Sequence, residues 1–246
     1  MKTEEFYHNI PQVVHDLADE LRENAPTRVE ALYVVGSVLT PDFQPAVSDI
    51  NTLVLLPGES ISFLDFLIEI GRRFKKERLA PPLVMGEEYV YRSLDVFPIE
   101  FLNFREIHHV LFGPDILTDL VIEFEPLRLQ CEREIKARLL WLNQTYLETM
   151  ASEKLLAPRL IDSVTGYFPL MRALLVLASL KPPLAERDLI VRTGELVGLD
   201  DDIFLRLRNM KRQRKNWPSR KALVDDYQNL CQAVRKIAHY VDTLAD

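Results

Sequence analysis

Two short apolar runs in the first quarter of the chain are separated by a segment that cannot form a long helix. The first run, VEALYVVGS, starts at Val29, and the second, NTLVLLPG, starts at Asn51. Aliphatic and β-branched runs that end at glycine or proline are typical of buried strands. Pro41 and Pro45 lie between the two runs, and proline breaks a helix interior because it lacks an N–H donor. The sequence therefore predicts two neighbouring strands joined by a loop or a single turn.

The rest of the N-terminal half alternates helical and strand patterns. Apolar residues at helical spacing predict a helix over residues 10–23 and another helix from Ser60. Short apolar runs predict a strand from Pro81 and a further strand, VFPIEFLNF, from Val96, with Pro98 indicating a sheet edge or a bulge. This order of elements predicts an α+β domain in which helices flank a mixed sheet.

The second half of the chain is helical in pattern. We predict a long helix around residues 131–146, an apolar central helix over 158–180, a helix over 200–215 and a last helix over 223–244. The last helix repeats its apolar residues at spacings of four and three, which is typical of an antiparallel bundle. We therefore predict two domains, an α+β domain over 1–125 and an all-α helical bundle over 126–246.

Charge and cysteine content limit the class of protein. The formal net charge is -7, which argues against a surface built for nucleic acid, because phosphate binding relies on clustered Lys and Arg. Cys131 and Cys231 have no metal-type spacing and are too few for a disulfide scaffold, which fits a reducing compartment. The N-terminus lacks a signal-peptide pattern, and the most apolar stretch, from Phe168, contains Arg172. We expect a cytoplasmic protein with no membrane or nucleic-acid partner.

The segment that carries chemistry is GSVLTPDFQPAVSDIN, from Gly36 to Asn51. Residues two apart on a strand share a face, so Asp49 and Asn51 are expected to point the same way while Ile50 points into the core. Gly36 and Ser37 would let backbone amides and a hydroxyl approach a phosphate closely. An unrelated strand pair, with Gly36 serving only a turn and Asp49 a loop, is the simpler alternative.

This arrangement resembles the signature of the DNA polymerase beta-like nucleotidyltransferase superfamily, in which a Gly-Ser turn precedes a strand with two acids. The resemblance covers residues 10–125 and implies a nucleotidyltransferase-like sheet with a nucleotide at Gly36 and Ser37. The helical half is similar to the second domain of small-substrate nucleotidyltransferases. The stretch from Ser93 to Gly113 is also similar to a segment of bacterial nucleotidyltransferase-like proteins.

The resemblance also implies a catalytic set of three acids that hold Mg²⁺. Asp49 matches the first acid, Asn51 departs from the second, and Glu100 is the preferred third, with Asp95 and Asn103 as its competitors. Asp49 and Glu100 would then be the metal ligands. An amide oxygen is a neutral and weaker ligand than a carboxylate, so Asn51 predicts impaired two-metal catalysis.

Three functions follow as hypotheses. The first is Mg²⁺-dependent transfer of a nucleotidyl group from a nucleoside triphosphate to the hydroxyl of an unknown small-molecule acceptor. The second is a catalytically degenerate module that binds a nucleotide or regulates a partner. The third is an interaction or structural role of the helical bundle, with a homo-oligomer left open.

Two further patterns, a pair of adjacent histidines and a basic run, are weaker indications of function. His108 and His109 follow the strand predicted from Val96, on a helical segment whose adjacent residues face different directions. One of the two could then face the cleft, but we favour surface roles for both. The basic run NMKRQRKNW, from Asn209 to Trp217, closes a helix that Asp200, Asp201 and Asp202 open, which favours a solvated helix over a phosphate contact.

Overall fold

The protein is described by a computed structural model that covers residues 3–25, 27–58, 61–74, 77–199, 202–213, 217 and 219–244. The chain divides into two compact units, Met1–Glu123 and Phe124–Asp246. The first unit combines helices with a sheet, and the described part of the second is helical.

The first unit opens with a 3-10 helix, Thr3–Asn9, and continues with α1 (Gln12–Asn24). β1 (Ala31–Val35) and β2 (Asn51–Leu56) follow, with a short 3-10 turn between them at Ser37–Leu39. The remaining elements are α2 (Ile61–Phe74), β3 (Leu83–Gly86), α3 (Glu87–Arg92), α4 (Pro98–Glu106) and β4 (His108–Phe112). The two strands predicted around Pro41 and Pro45 are confirmed, as are the helices on either side of them.

Within the described residues the strands form one mixed sheet in the order β3-β2-β1-β4. β1 pairs antiparallel with both β2 and β4, whereas β2 and β3 run parallel. The β1–β2 ladder sets Val35 opposite Asn51 and Ala31 opposite Leu55. Since every residue of β1 is buried, the strand has covered faces on both sides. The predicted α+β class with a mixed sheet flanked by helices is therefore confirmed.

Alternate residues of the strands bury against different elements. On one face, Leu32 and Val54 pack with Leu17 and Leu21 of α1 and with Phe63 of α2. On the other face, a second apolar cluster combines residues of β1 and β2 with residues of α3, α4 and the segment after β4; its members include Tyr33, Val35, Leu53, Val90, Phe101, Leu117 and Leu120. This period of two is what places Asn51 on the second face, in line with Leu53 and Leu55.

The strand predicted over VFPIEFLNF is wrong, because this stretch forms the helix α4. Pro98 occupies the first turn of α4, where its missing N–H costs nothing and its fixed φ suits the helix. Ile99, Phe101 and Leu102 are buried, a spacing that both a strand and a helix can satisfy over so short a run. The fourth strand instead starts at His108, so the helical segment expected at His108 and His109 is also wrong.

The second unit contains α5 (Phe124–Glu148), α6 (Glu153–Ser163), α7 (Tyr167–Leu177), α8 (Glu186–Val197), α9 (Asp202–Gln213) and α10 (Arg220–Thr243). α5 and α10 contact each other through Tyr146 and Tyr227, whose rings stack with centroids 4.4 Å apart. The predicted all-α bundle is confirmed. The single central helix predicted over 158–180 is wrong, because a 3-10 turn at Val164–Gly166 separates α6 from α7.

α7 is the most enclosed helix among those described in the bundle, with nine of its eleven residues buried. Among the described residues, one stretch, Glu153–Leu177, is long and apolar enough to cross a membrane by length and composition, and 61% of its most apolar window is buried inside the protein. Burial to this extent is what a core helix of a bundle requires.

Candidate functional site

The turn after β1 adopts a backbone conformation that favours glycine. Gly36 has φ 82° and ψ -147°, and its N–H donates to the carbonyl of Ile107 at 3.2 Å. The following turn is held by Leu39 N–H donating to Gly36 O and by the Thr40 hydroxyl donating to Ser37 O at 2.8 Å. Gly36 and Ser37 are both partly exposed. The predicted small-residue turn is therefore a fixed structure at the end of a buried strand.

Asn51 lies next to this turn. It pairs with Val35 across the β1–β2 ladder, and a Cβ atom on Gly36 would lie 3.8 Å from Asn51 Nδ2. Asn51 is exposed, while Thr52 beyond it is buried. The structure thus brings Gly36 and Asn51 together, as the spacing in the sequence predicts.

Asp49 precedes β2 and is exposed on the same strand line as Asn51, with buried Ile50 between them. Its carboxylate contacts the guanidinium of Arg78, with Nη2 3.4 Å from Oδ1. Arg78 also donates from Nη2 to Val47 O and from Nε to Ser48 O at 3.3 Å. The acid that matches the first family position is therefore held against a cation of its own chain.

Arg78 lies on the chain segment that runs beside the start of β2 toward β3. Ile50 N–H donates to Arg78 O, Ala80 N–H donates to Ile50 O, both at 2.9 Å, and Ile50 bridges to Leu79 in parallel. Arg78 has φ 59°, a left-handed conformation that costs an L residue about 1 kcal/mol or more. Residues 77–82 are Glu-Arg-Leu-Ala-Pro-Pro, so the exposed Glu77 directly precedes Arg78 in sequence.

Glu100 does not lie on a strand. It is an exposed residue in the first turn of α4, whose C-terminal neighbour Ile107 accepts the Gly36 hydrogen bond. Glu100 lies six positions before the last residue of α4, Glu106, which corresponds to roughly 9 Å along a helix axis. The strand pattern that singled out Glu100 is absent here, and its role as third acid stays a prediction.

Asp95 and Asn103, the alternatives to Glu100 as the third acid, both lie outside the sheet. Asp95 is an exposed residue of the turn between α3 and α4. Asn103 lies in α4, where its Nδ2 donates to Ile99 O at 2.7 Å, a bond within the helix. Neither residue belongs to the sheet ladder that carries Asn51.

The residues at this strand end do not fit the two-metal centre that the resemblance implies. The site offers one carboxylate, Asp49, an amide at Asn51 and a guanidinium at Arg78. Among the described residues, no group of three His, Cys, Asp or Glu side chains is arranged to hold a metal ion. Mg²⁺ is commonly bound through one or two carboxylates together with substrate phosphates, and a neighbouring arginine opposes its approach.

Sequence reasoning missed a second polar pair on the same face of the sheet. His108 pairs with Val35, which pairs with Asn51, so these three residues form a row across β4, β1 and β2. The His108 Nδ1 atom lies 2.7 Å from Phe104 O, and Nε2 lies 3.2 Å from Asp115 Oδ1. The short apolar run over residues 110–112 after the two histidines, stopped by Gly113, is the signal that identifies this strand.

The carboxyl group of Asp115 has a pKa that differs from its ordinary value. Burial alone would raise its pKa, but hydrogen bonds from the hydroxyl and backbone N–H of Thr118, and the adjacent His108, hold the pKa below its ordinary value of 3.8. Tyr33 donates its phenolic hydrogen bond to Pro114 O at 2.6 Å, and burial raises the pKa of this tyrosine. The loop after β4 is therefore attached to the sheet by charged and neutral hydrogen bonds.

The sheet, its flanking helices and the Gly36–Asn51 hairpin define a nucleotidyltransferase-like fold followed by a helical bundle. Among solved structures, the chain is similar to spectinomycin adenyltransferase AAD(9) from Enterococcus faecialis, crystallised with ATP and spectinomycin. The two share 11% sequence identity with a TM-score of 0.56, over 91% of this chain and 98% of that chain. At this identity the likeness shows the fold.

No protein-family model matches this chain, and no curated protein is significantly similar to it.

Proposed function

We propose that this protein binds a nucleoside triphosphate at the strand end formed by Gly36, Ser37 and Asn51. The observation that supports the proposal is the β1–β2 hairpin itself, which sets a left-handed glycine and its serine beside an exposed polar residue. The fold around this hairpin is shared with an adenyltransferase crystallised with ATP.

The residue types fit a phosphate ligand. A glycine with no Cβ allows an anion to approach the backbone, and the Ser37 hydroxyl adds a donor. Asn51 carries both a donor and an acceptor, so it can meet a phosphate or a ribose hydroxyl without adding negative charge. We place the protein in the cytoplasm as part of this proposal, where nucleoside triphosphates are available.

Thermal unfolding with a panel of nucleotides tests the proposal. A ligand at a hundred times its dissociation constant stabilises the folded protein by about 2.7 kcal/mol. For a chain of this size that is a rise in Tm of roughly 5–10 °C. No rise with any nucleotide, with or without Mg²⁺, would remove the proposal.

A matched pair of variants locates the site. Gly36→Ala must strain a left-handed backbone beside Asn51, whereas Gly58→Ala adds a methyl group to open space at the other end of β2. We expect Gly36→Ala to reduce the nucleotide-induced rise in Tm and Gly58→Ala to leave it unchanged. Ser37→Ala, which does not disturb the backbone, provides the same test if Gly36→Ala unfolds.

A second candidate is transfer of a nucleotidyl group to the hydroxyl of a small molecule. It is favoured by the extent of the structural likeness, which includes the bundle as well as the sheet, to a protein crystallised with spectinomycin. In such a transfer the acceptor hydroxyl loses its proton to solvent as its oxygen bonds to the α-phosphorus, the bond from the α-phosphorus to the bridging oxygen breaks, and pyrophosphate leaves. Incubation with α-labelled nucleotides and a panel of hydroxyl compounds tests it, with loss of labelling in Asp49→Ala as the expected control. Absence of labelled product across the panel would contradict transfer and leave nucleotide binding as the only proposed function.

A further inference from the structure

At the strand end, the charges of Asp49, Asn51 and Arg78 sum to zero. Asp49 contributes one negative charge, Asn51 none, and Arg78 one positive charge within 3.4 Å of the Asp49 carboxylate. Three carboxylates at the same place would carry three negative charges and would need cations before a triphosphate could approach. In this chain, three clustered carboxylates that would repel a triphosphate are absent from Asp49, Asn51 and Arg78.

Arg78 is held in a defined position by three acceptors on one loop. Its Nε and Nη2 atoms donate to Ser48 O, Val47 O and Asp49 Oδ1. These contacts engage one side of the guanidinium. Among the described residues nothing accepts a hydrogen bond from Nη1, and 42% of the Arg78 side chain is exposed. The two N–H donors of Nη1 are therefore not used by the loop, while the guanidinium that carries them is held in place.

The position of Arg78 matches the edge of the proposed nucleotide site. The turn at Gly36 follows β1, Asn51 begins β2, and Arg78 precedes β3 beside Asp49 and Ile50. Two strand spacings separate the Gly36 turn from the Arg78 segment, which is roughly 10 Å. A triphosphate placed on the Gly36–Ser37 turn and extended across Asn51 would be directed toward the chain segment that carries Arg78.

We infer that this site binds the triphosphate without a divalent cation, and that the Arg78 guanidinium donates to phosphate oxygens where the fold would otherwise hold a metal. This inference rests on the proposed function, since it requires a nucleotide in the site. It makes Arg78 a phosphate-binding residue, and it assigns Asp49 the task of orienting that arginine. A magnesium ion held by Asp49 and Glu100 is the rival arrangement.

Calorimetric titration of the full chain with ATP, in EDTA and in MgCl₂, separates the two arrangements. We expect the wild-type dissociation constant to agree within about threefold between the two conditions. Arg78→Gln is expected to weaken binding in EDTA at least tenfold, with Arg78→Lys intermediate because lysine keeps the charge but loses the fork. Arg92→Gln is the control for loss of an arginine from an ion pair, because Arg92 contacts Glu88 within α3 and its side chain is more exposed than that of Arg78, 79% against 42%.

Asp49→Asn gives the sharpest contrast and keeps the inference testable if Arg78→Gln fails to fold. The substitution removes the negative charge but keeps an amide oxygen that can accept from Arg78 Nη2, and the carbonyls of Ser48 and Val47 still hold the guanidinium. ATP is therefore expected to bind as tightly as to wild type, or several-fold more tightly, in EDTA. A metal held by Asp49 requires the opposite, a large loss of binding in MgCl₂.

The outcomes are distinguishable from failure of the proposed function. ATP binding that requires MgCl₂, or an Arg78→Gln variant that binds like wild type, overturns the inference and leaves the nucleotide site in place. Absence of ATP binding under both conditions removes the proposed site, and the inference with it.

Discussion

His108 Nε2 lies 3.2 Å from Asp115 Oδ1, and this pair joins β4 to the loop that follows it. The same carboxylate accepts hydrogen bonds from Leu117 N–H at 3.0 Å and from the Thr118 hydroxyl at 2.7 Å. Because Leu117 is fully buried on the face of the sheet that carries Tyr33, one acidic side chain orders both the loop and part of the core.

We expect Asp115→Asn to lower the free energy of unfolding by about 1 kcal/mol at neutral pH, because an amide is a weaker acceptor for Thr118 and His108. The folded-state pKa of Asp115 is below its ordinary value of 3.8. The stability that it contributes is therefore complete above about pH 4 and is lost as the pH falls through the folded-state pKa. Urea unfolding between pH 3 and pH 7 measures both effects.

Asp119→Asn is the control for this prediction, because Asp119 is an exposed acid of the same loop. It should unfold like wild type at every pH. If Asp115→Asn and wild type differ by the same amount at pH 3 and at pH 7, the ionised form of Asp115 is not what stabilises the loop.

Asn51→Asp is expected to reverse the metal dependence of the site. A second carboxylate beside Asp49 repels the phosphates in EDTA, so we expect ATP to bind about tenfold more weakly, a change of roughly 1.4 kcal/mol. In MgCl₂ the two acids provide a better metal site, and the loss should be recovered. ATP titration in both conditions measures this, with Asn51→Ser as a control that adds no charge. Equal binding of Asn51→Asp in EDTA and MgCl₂ would contradict the prediction.

The parts of the fold that could be predicted are those in which local pattern and tertiary environment agree. β1 and β2 are continuous apolar runs with glycine or proline at their ends, and both lie buried as expected. The proximity of Gly36 to Asn51 follows from these two strands. β1 ends at Val35 and β2 begins at Asn51, so the antiparallel pairing sets Val35 opposite Asn51, and Gly36 is the next residue after Val35.

The wrong predictions concern short runs whose apolar residues fit both the period of a strand and the period of a helix. Pro98 is compatible with a strand edge and with a helix first turn, and only burial against the sheet decides in favour of α4. β4 begins with two histidines, so only its last three residues, 110–112, show the apolar pattern of a strand. Arg78 could not be assigned from the sequence at all, because its contact with Asp49, at a sequence separation of 29, depends on the chain returning beside the start of β2.

Two glycines of the first unit should respond to alanine with opposite signs. Gly113 has φ 88°, and a Cβ there would lie 2.1 Å from Glu30 O and 2.6 Å from Ala31 Cα. Gly113→Ala should therefore cost about 3 kcal/mol or more, from left-handed strain and from displacement of β1. Gly71 is in α2 with open space around its Cβ direction, so Gly71→Ala should stabilise by about 0.5–1 kcal/mol.

Urea unfolding of the two variants and wild type, followed by circular dichroism, measures both changes. A Gly113→Ala variant with wild-type stability would mean that the segment before β1 can move away from the loop after β4.

The bundle contains a buried acid whose two partners lie on different segments. Asp226 of α10 is 3% exposed and accepts from Arg206 Nη1 at 2.9 Å and from Trp217 Nε1 at 2.7 Å. We expect Asp226→Asn to lower the free energy of unfolding by about 2 kcal/mol, less than for a fully enclosed pair, because half of the Arg206 side chain remains in water. Trp217→Phe, which keeps the aromatic body, should cost about 1 kcal/mol for the lost hydrogen bond.

The double variant distinguishes a shared network from two separate contacts. Because the tryptophan and the carboxylate form one hydrogen bond, the two losses should not add, and the combined variant should be less destabilised than their sum by roughly 0.5–1 kcal/mol. Asp225→Asn, an exposed neighbour on α10, should leave stability within about 0.5 kcal/mol of wild type. Strict additivity in urea unfolding would show that Asp226 stabilises the bundle through Arg206 alone, with Trp217 contributing only its packing.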